Sequence, residues 1–451
     1  MPRAHNDNEV RLLAYLAAGI RSSEEIQKRL GLSQATVSRL ITALKDEIVV
    51  IGRARSRRYT LRRDVRGLGG DFPVFSIDPE GNATSLGMLA AIGFDSYLWQ
   101  PKNGEAVASK SLPWFLADLR PDGFTGRSFV RHLQEDLALP PRVLDWHDDH
   151  LLAALSRRGE DFMGALIVGR ESLDRYFRLT RDSGPPIPGE ELPVAYPELA
   201  GKAMDGQPVG SSAGGEQPKF TACIERGGEV LNVLVKFSPP VESVEGRRWA
   251  DLLVCEHIAL QVVQEQGISA AKTTLLQSQG RLFLEVVRFD RVGRFGRLPM
   301  VSLRVIDNEF YGRQDNWAAA AQRMEADRSM SREDAGNLRW LSVFGDLIAN
   351  TDQHFGNISL AGNAGRYRLL PAYDMLPMFY RPMDGAAPVK PFRPPAFATA
   401  AAGEWDSALR AALDFWGRAG DDQRISRDFR AICRANIEIV RDLETGPRLV
   451  G

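Results

Sequence analysis

The chain has 451 residues, of which 44% are hydrophobic and 25% charged, with a formal net charge of −1 and three cysteines. That length predicts two to four domains, and the composition is that of a folded protein with substantial cores. No apolar run approaches a membrane span, the polar start Met1-Pro2-Arg3-Ala4-His5-Asn6-Asp7 is no signal peptide, and Cys223, Cys255 and Cys433 are too scattered for a disulfide framework or cysteine metal site, which fits a reducing, cytoplasmic setting.

The near-zero net charge hides an asymmetry. Residues 1–66 carry 14 Lys+Arg against 7 Asp+Glu, a net of +7, and the remainder 43 against 51, a net of −8. A basic head on an acidic body points to nucleic acid at the amino end. Asn8 to Gly19 has helical spacing at Val10, Leu13 and Leu16. Ser22-Ser23-Glu24-Glu25 is a capping box that opens a second helix through Ile26 and Leu30. Ser33 caps a third, with Val37, Leu40, Ile41 and Leu44 facing inward. Ile48–Ile51 and Arg58–Leu61 read as strands flanking an arginine-rich turn. The pattern predicts a winged helix-turn-helix over 1–66 that binds double-stranded DNA. Gln34, Thr36, Ser38 and Arg39 would read base edges, and Arg53, Arg55, Arg57 and Arg58 would meet phosphates. A protein-docking module with a solvated arginine face is the alternative.

Gly67-Leu68-Gly69-Gly70 is a flexible joint. Beyond it, Pro73–Ile77 and Thr84–Leu89 read as strands, and Gly126–Asp136 and His150–Arg157 as helices, a mixed α/β element over 71–183. Asp145-Trp146-His147-Asp148-Asp149-His150 has metal-ligand residue types, but the acids are expected to cap the following helix instead. Gly184-Pro185-Pro186-Ile187-Pro188-Gly189 reads as a stiff linker.

Ser211-Ser212-Ala213-Gly214-Gly215 belongs to a small-residue loop whose backbone amides can approach phosphates, although it matches neither G-x-G-x-x-G nor a Walker sequence. Strands at Lys219–Ile224 and Val230–Phe237 follow. Lys236 ends the second, beside the apolar Val233 and Val235, and a buried ammonium needs an anionic partner. In a kinase that partner is a nucleotide phosphate pair, with a helix glutamate holding the lysine; Glu256, on a helix over Val244–Gln266, is placed for that role. Leu282–Val287 reads as a strand leaving through Arg288-Phe289-Asp290-Arg291, where a kinase hinge would meet adenine.

The helix predicted over Ser331–Ala349 delivers Asn350-Thr351-Asp352-Gln353-His354-Phe355-Gly356-Asn357, with Tyr373-Asp374 beyond. Asp352 and Asn357 have the five-residue spacing of a kinase catalytic acid and magnesium-binding amide, and Asp374 supplies the further carboxylate. His354 is expected to brace this loop by hydrogen bonding. Helices around Trp405–Trp416 and Asp428–Leu443 complete a mostly helical lobe, and Val389–Pro395 reads as a proline-rich loop.

Ser211-Ser212-Ala213-Gly214 with Gln217 and Lys219, Val235-Lys236, Arg288-Phe289-Asp290-Arg291, Thr351–Asn357 and Tyr373-Asp374, in this order, resemble the HipA family of bacterial serine/threonine kinase toxins, and in particular its YjjJ-type branch with a fused helix-turn-helix. The resemblance implies an α+β protein: the winged head, a β-rich subdomain over 71–183, a kinase N-lobe over 190–300 and an α-helical C-lobe over 301–451. It further implies an ATP- and Mg2+-dependent protein kinase with Asp352 as catalytic acid and Asn357 and Asp374 on magnesium. Ser211 to Gly215, Lys236, Glu256, Phe289 and His354 would surround the nucleotide, and Ser211, or Ser212 given the altered loop, would be autophosphorylated. A translation-factor substrate and an antitoxin partner are implied too. From the residues alone, a DNA-binding regulator with an inert kinase body and a metal-dependent nuclease remain as alternatives.

Overall fold

Residues 5–52, 56–206, 217–363, 365–383, 391–394 and 401–445 are described by a computed structural model of the chain. The amino-terminal unit begins with α1 (Asp7–Ala17), α2 (Ser23–Leu30) and α3 (Gln34–Ala43). Ser22 and Glu25 form the expected capping box, and Ser33 Oγ accepts from Thr36 N at 3.3 Å. Such caps stabilise a helix end by about 1 kcal/mol each. Leu12, Leu16, Ile26, Leu30, Val37, Leu40, Leu44 and Ile48 close the core, with Ile41 half-buried beside them. The strands Ile48–Ile51 and Arg58–Leu61 pair antiparallel, and Arg21–Ser22 adds to the second.

The next unit is a five-stranded antiparallel sheet in the order Val107–Ser109, Ser96–Pro101, Ala83–Ile92, Asp71–Ile77, Leu166–Val168. The helices α4 (Gly123–Leu137), α5 (Asp148–Arg158) and α6 (Arg170–Asp182) accompany it. Asp148 and Asp149 occupy the first turn of α5 as expected, where the helix dipole favours acids. Their carboxylates, however, are engaged elsewhere: Asp148 accepts from Leu112 N at 2.9 Å and Arg120 Nη2 at 3.1 Å, and Asp149 from Arg63 Nη2 at 3.0 Å and Tyr97 Oη at 2.6 Å. Arg63 follows the head's last strand, so Asp149 ties head to sheet. A small apolar cluster of Val49, Ala90, Ile92 and Leu98 spans the same contact.

The expected linker does not remain outside the next sheet. Ile187–Pro188 pairs parallel with Ile224 and Glu225 as an edge strand, a place where proline's missing N–H is tolerated. After α7 (Leu192–Met204), that sheet runs Thr273–Ser278, Arg281–Val287, Glu229–Phe237, Lys219–Arg226, Ile187–Pro188. The 22-residue α8 (Val244–Glu265) packs against it, capped by Ser243 Oγ accepting from Gly246 N at 2.9 Å. A Cβ at Gly246 would lie 2.0 Å from Pro240 O, so only glycine fits that turn.

The last unit is mainly helical: α9 (Leu303–Phe310), α10 (Trp317–Ala326), α11 (Arg332–Leu347), α12 (Trp405–Asp421) and α13 (Arg427–Thr445). The hairpin Ser359–Asn363 and Arg366–Leu369 fills the sequence between the two acidic motifs, and Val301–Ser302 pairs with its first strand. Among the described residues no helix is long and apolar enough to cross a membrane.

Asp149→Asn is expected to lower stability by about 1 kcal/mol, the modest value of a partly solvated charge pair, and to speed proteolysis between residues 64 and 70. Unchanged proteolysis of the purified full chain would show that this contact does not hold the head.

Candidate active site

The hairpin that carries Lys236 is set by its turn. Gly227 and Gly228, both at positive φ (60° and 80°), form a two-residue turn that pairs Arg226 with Glu229. That register places Lys219 opposite Lys236, and each lysine is only 3% exposed. Lys236 Nζ donates to Glu256 Oε1 at 2.6 Å and Oε2 at 2.7 Å, and also to Asp374 Oδ1. Glu256, on α8, is fully buried.

Burial by itself would lower the Lys236 pKa, but the Asp374 and Glu256 carboxylates outweigh it and hold the ammonium above its ordinary value. Burial acts to raise the Asp374 carboxyl, and the Lys236 charge, joined by Lys219, brings it below the usual range. For Glu256 burial prevails and the carboxyl is raised, with Lys236 opposing. Two ammonium groups and two carboxylates thus share one enclosed site. Sequence reasoning assigned no role to Lys219, although the two-glycine turn already fixes its pairing with Lys236.

The loop after α11 is held by its own amides. Asn350 Oδ1 accepts from Asp352 N at 3.0 Å, and Asn350 Nδ2 donates to Asp374 O at 3.3 Å. Asn357 Nδ2 donates to Asp352 O at 2.9 Å, so its Oδ1 is the atom suited to a cation. Asp352 itself keeps its carboxylate accessible, at 43% exposure. His354 braces the loop as expected: its Nδ1 accepts from Gly356 N at 3.1 Å, while Trp317 Nε1 donates to His354 O at 3.2 Å. Its Nε2 stands 3.9 Å from Asp352 Oδ1. Tyr373 Oη donates to Gly356 O at 3.0 Å, and the Phe289 ring lies 5.7 Å from the Tyr373 ring, beside Asp374. Asp374 sits at φ 55°, a left-handed conformation unusual for a non-glycine residue.

The structure therefore brings Lys236, Glu256 and Asp374 into direct contact. Asn350 links Asp374 to the Asp352 loop, and Phe289 borders the same motif. Ser211, Ser212, Ala213, Gly214 and Gly215 lie outside the described residues, as do Arg53 and Arg55. Among the described residues no three His, Cys, Asp or Glu side chains converge as a metal cage. A magnesium ion is usually held by one or two protein oxygens together with substrate phosphates, and the Asn357 amide and Asp374 carboxylate have that donor chemistry.

At the polar exit of the Arg281–Val287 strand, Arg288, Asp290 and Arg291 form a largely buried charge cluster. Asp290 Oδ2 accepts from Gly164 N at 2.8 Å and Arg291 Nη2 donates to Asp161 Oδ1 at 3.0 Å. The motif thus joins the site to the middle sheet. In the head, Gln34, Ser38 and Arg39 are exposed on α3, as are Arg57 and Arg58 near the hairpin. Thr36 is instead occupied within the helix start, where its Oγ1 contacts Ser33 Oγ at 3.0 Å and Arg39 Nη2 at 3.4 Å.

Comparison with known proteins shows the family. Residues 211–440 match the HipA-like C-terminal domain and residues 68–177 the middle domain of YjjJ-like toxins. A chain of the Shewanella oneidensis MR-1 toxin–antitoxin complex of HipA, HipB and operator DNA superposes with a TM-score of 0.51 at 14% identity, covering 82% of this chain and 97% of that one. The fold is thus HipA-like. Toxin YjjJ of Escherichia coli (strain K12) is 36% identical over 437 residues, 95% of this chain and 97% of the relative. The chain belongs to the YjjJ-like toxins of the HipA family.

One acid at the back of the loop was not foreseen. Burial pushes the Asp346 carboxyl up to about 6, against the hydrogen bond from Gln353. A folded-state value above the unfolded one means that the fold prefers the protonated acid, so stability falls as pH rises through this window and the loss persists above it. Asp346→Asn is therefore expected to raise the melting temperature at pH 7.5, by at most about 3 kcal/mol in stability, and to match the wild type below pH 4. Equal melting curves at pH 7.5 would refute this.

Proposed function

We propose that the chain is an ATP- and magnesium-dependent protein kinase of toxin–antitoxin type, transferring the γ-phosphate to a serine or threonine hydroxyl. The observation that carries this reading is Lys236 clasped between Glu256 and Asp374. A lysine oriented by a helix glutamate, next to a carboxylate suited to magnesium, is the constellation that phosphoryl transfer requires. Lys236 would contact the phosphates while Glu256 holds its ammonium in place, and Lys219 would add charge to the same wall. Asn357 and Asp374 would hold magnesium, whose chemistry when bound is to neutralise charge on the phosphates. Asp352, the exposed carboxylate of the loop, would orient the acceptor hydroxyl and take its proton. Phe289 would border the nucleotide, and His354 would keep the loop in shape. Ser211, or Ser212, would be the serine modified on the chain itself; a phosphate there would repel the nucleotide.

Incubation of the purified chain with labelled ATP and magnesium is expected to label Ser211 or Ser212, or an added protein. Asp352→Ala should lower transfer about 100-fold or more. Absence of label from the chain and from every added protein would overturn the reading and favour a regulator with an inert kinase body.

For residues 1–66 we propose a winged helix-turn-helix that binds duplex DNA. The basic charge and the exposed Gln34, Ser38 and Arg39 on α3 support this, with Arg57 and Arg58 near the wing. The HipA structure that this chain resembles was solved with operator DNA, which is consistent with such a role. A separate antitoxin and a translation-factor substrate follow from the family resemblance. DNA affinity should fall steeply with salt, and the Arg57→Ala, Arg58→Ala double variant should flatten the log–log slope by about two. A slope that does not change would remove these arginines from the interface.

A further inference from the structure

Asp346 is near the end of α11, six residues before Asp352, and its carboxylate faces the back of the loop. Gln353, between Asp352 and His354, turns its side chain to that back face: Nε2 donates to Asp346 Oδ1 at 2.6 Å and to Asn350 O at 3.4 Å. Gln353 Oε1 is buried and has no hydrogen-bond partner among the described residues. A Cβ at Gly345 would come within 2.8 Å of the Gln353 carboxamide, so the niche is shaped to that amide. Asn350 N closes the turn on Gly345 O at 2.8 Å. Among the described residues no cation offsets the Asp346 charge, and Gln353 is the group that bonds its carboxylate. A half-buried carboxylate without a counter-charge is a stability cost that a purely structural position would readily shed.

We propose that Asp346 is a positioning residue for phosphoryl transfer, pinning the Asp352 loop from behind through Gln353. This rests on the kinase reading and deepens it. Asp352 keeps its carboxylate accessible while the adjacent Gln353 is anchored to α11, so the anchor sets where the reacting carboxylate stands relative to Asp374. Displacement of a reacting group by about 1 Å can cost up to a hundredfold in rate.

The test compares wild type, Asp346→Ala, Asp346→Asn, Gln353→Ala and the Asp346→Ala, Gln353→Ala double variant in the full chain. Melting temperature, ATP affinity, kcat and KM are measured on each, with Asp352→Ala as the inactive control. Asp346→Ala is expected to melt no lower than wild type, to keep its KM for ATP and to lose about tenfold in kcat. Asp346→Asn should retain kcat within about twofold, because its Nδ2 can donate to the Gln353 Oε1 that lacks a partner. The double variant should be no slower than the slower single variant, the signature of one shared interaction. Wild-type kcat in Asp346→Ala would overturn this inference alone, as would a kcat loss accompanied by an equal loss of folded protein. A wild-type chain that transfers no phosphate would overturn the kinase reading and this inference together.

Discussion

The buried Lys236 ammonium is the constraint on which the site depends. It stands on a central strand, and the carboxylates that neutralise it come from α8 and from the segment after the small carboxy-terminal sheet. None of the three can move far without leaving a charge unpaired in an enclosed place, an error that costs on the order of 3–5 kcal/mol. The cluster therefore fixes the spacing between the sheet and the helical lobe. Lys219, brought opposite Lys236 by the hairpin register, balances the second carboxylate.

Two of the non-glycine residues at positive φ, Ala349 and Asp374, lie at the same place. Asp374 holds φ 55°, a conformation that costs a non-glycine residue on the order of 1–3 kcal/mol. It is over-determined by the Lys236 contact on its side chain and the Asn350 Nδ2 bond on its carbonyl. Asn350 also receives Asp352 N, so the two acidic motifs, separated by 22 residues of chain, are tied through one amide. This bond makes the spacing of the motifs in sequence unimportant and sets their spacing in space by the length of an asparagine.

The middle sheet enters this arrangement at two points. Asp290 and Arg291, directly after the hinge strand, are bonded to Gly164 and Asp161, and Asp118 accepts from both the backbone and hydroxyl of Ser302, the N-cap of α9. The first contact ties down the exit of the Arg281–Val287 strand, and the second fixes the helix that packs against the His354–Asn357 turn. Asp149 of the same unit grips Arg63, just after the head's last strand.

Local chemistry made much of this legible in advance. One capping box, one serine cap and period-3.6 apolar spacing located α1 to α3, although Val10 of the expected α1 stripe is exposed, and the hairpins on either side of Arg226–Glu229 and of the arginine turn followed from alternation and glycine. The motif spacing brought Lys236, Glu256, Asp352, Asn357 and Asp374 forward as one group. What escaped was of two kinds. The helix α6 escaped although Leu173, Tyr176 and Phe177 recur at helical spacing, the outer strands of the middle sheet have only three residues each, and the proline-rich Ile187–Pro188 looked like a linker because its pairing partner is 37 residues away. Arg288, Asp290 and Arg291 read only as a polar exit because their partners Gly164 and Asp161 are far away in the chain. The sequence by itself determined which residues carry charge, where helices begin and which motifs follow which, since these are properties of neighbours in the chain. Only the tertiary structure decided that Lys219 joins Lys236, that Asp149 serves Arg63, and that Asp346 holds Gln353 behind the loop, because burial and long-range pairing arise when distant segments exclude water together.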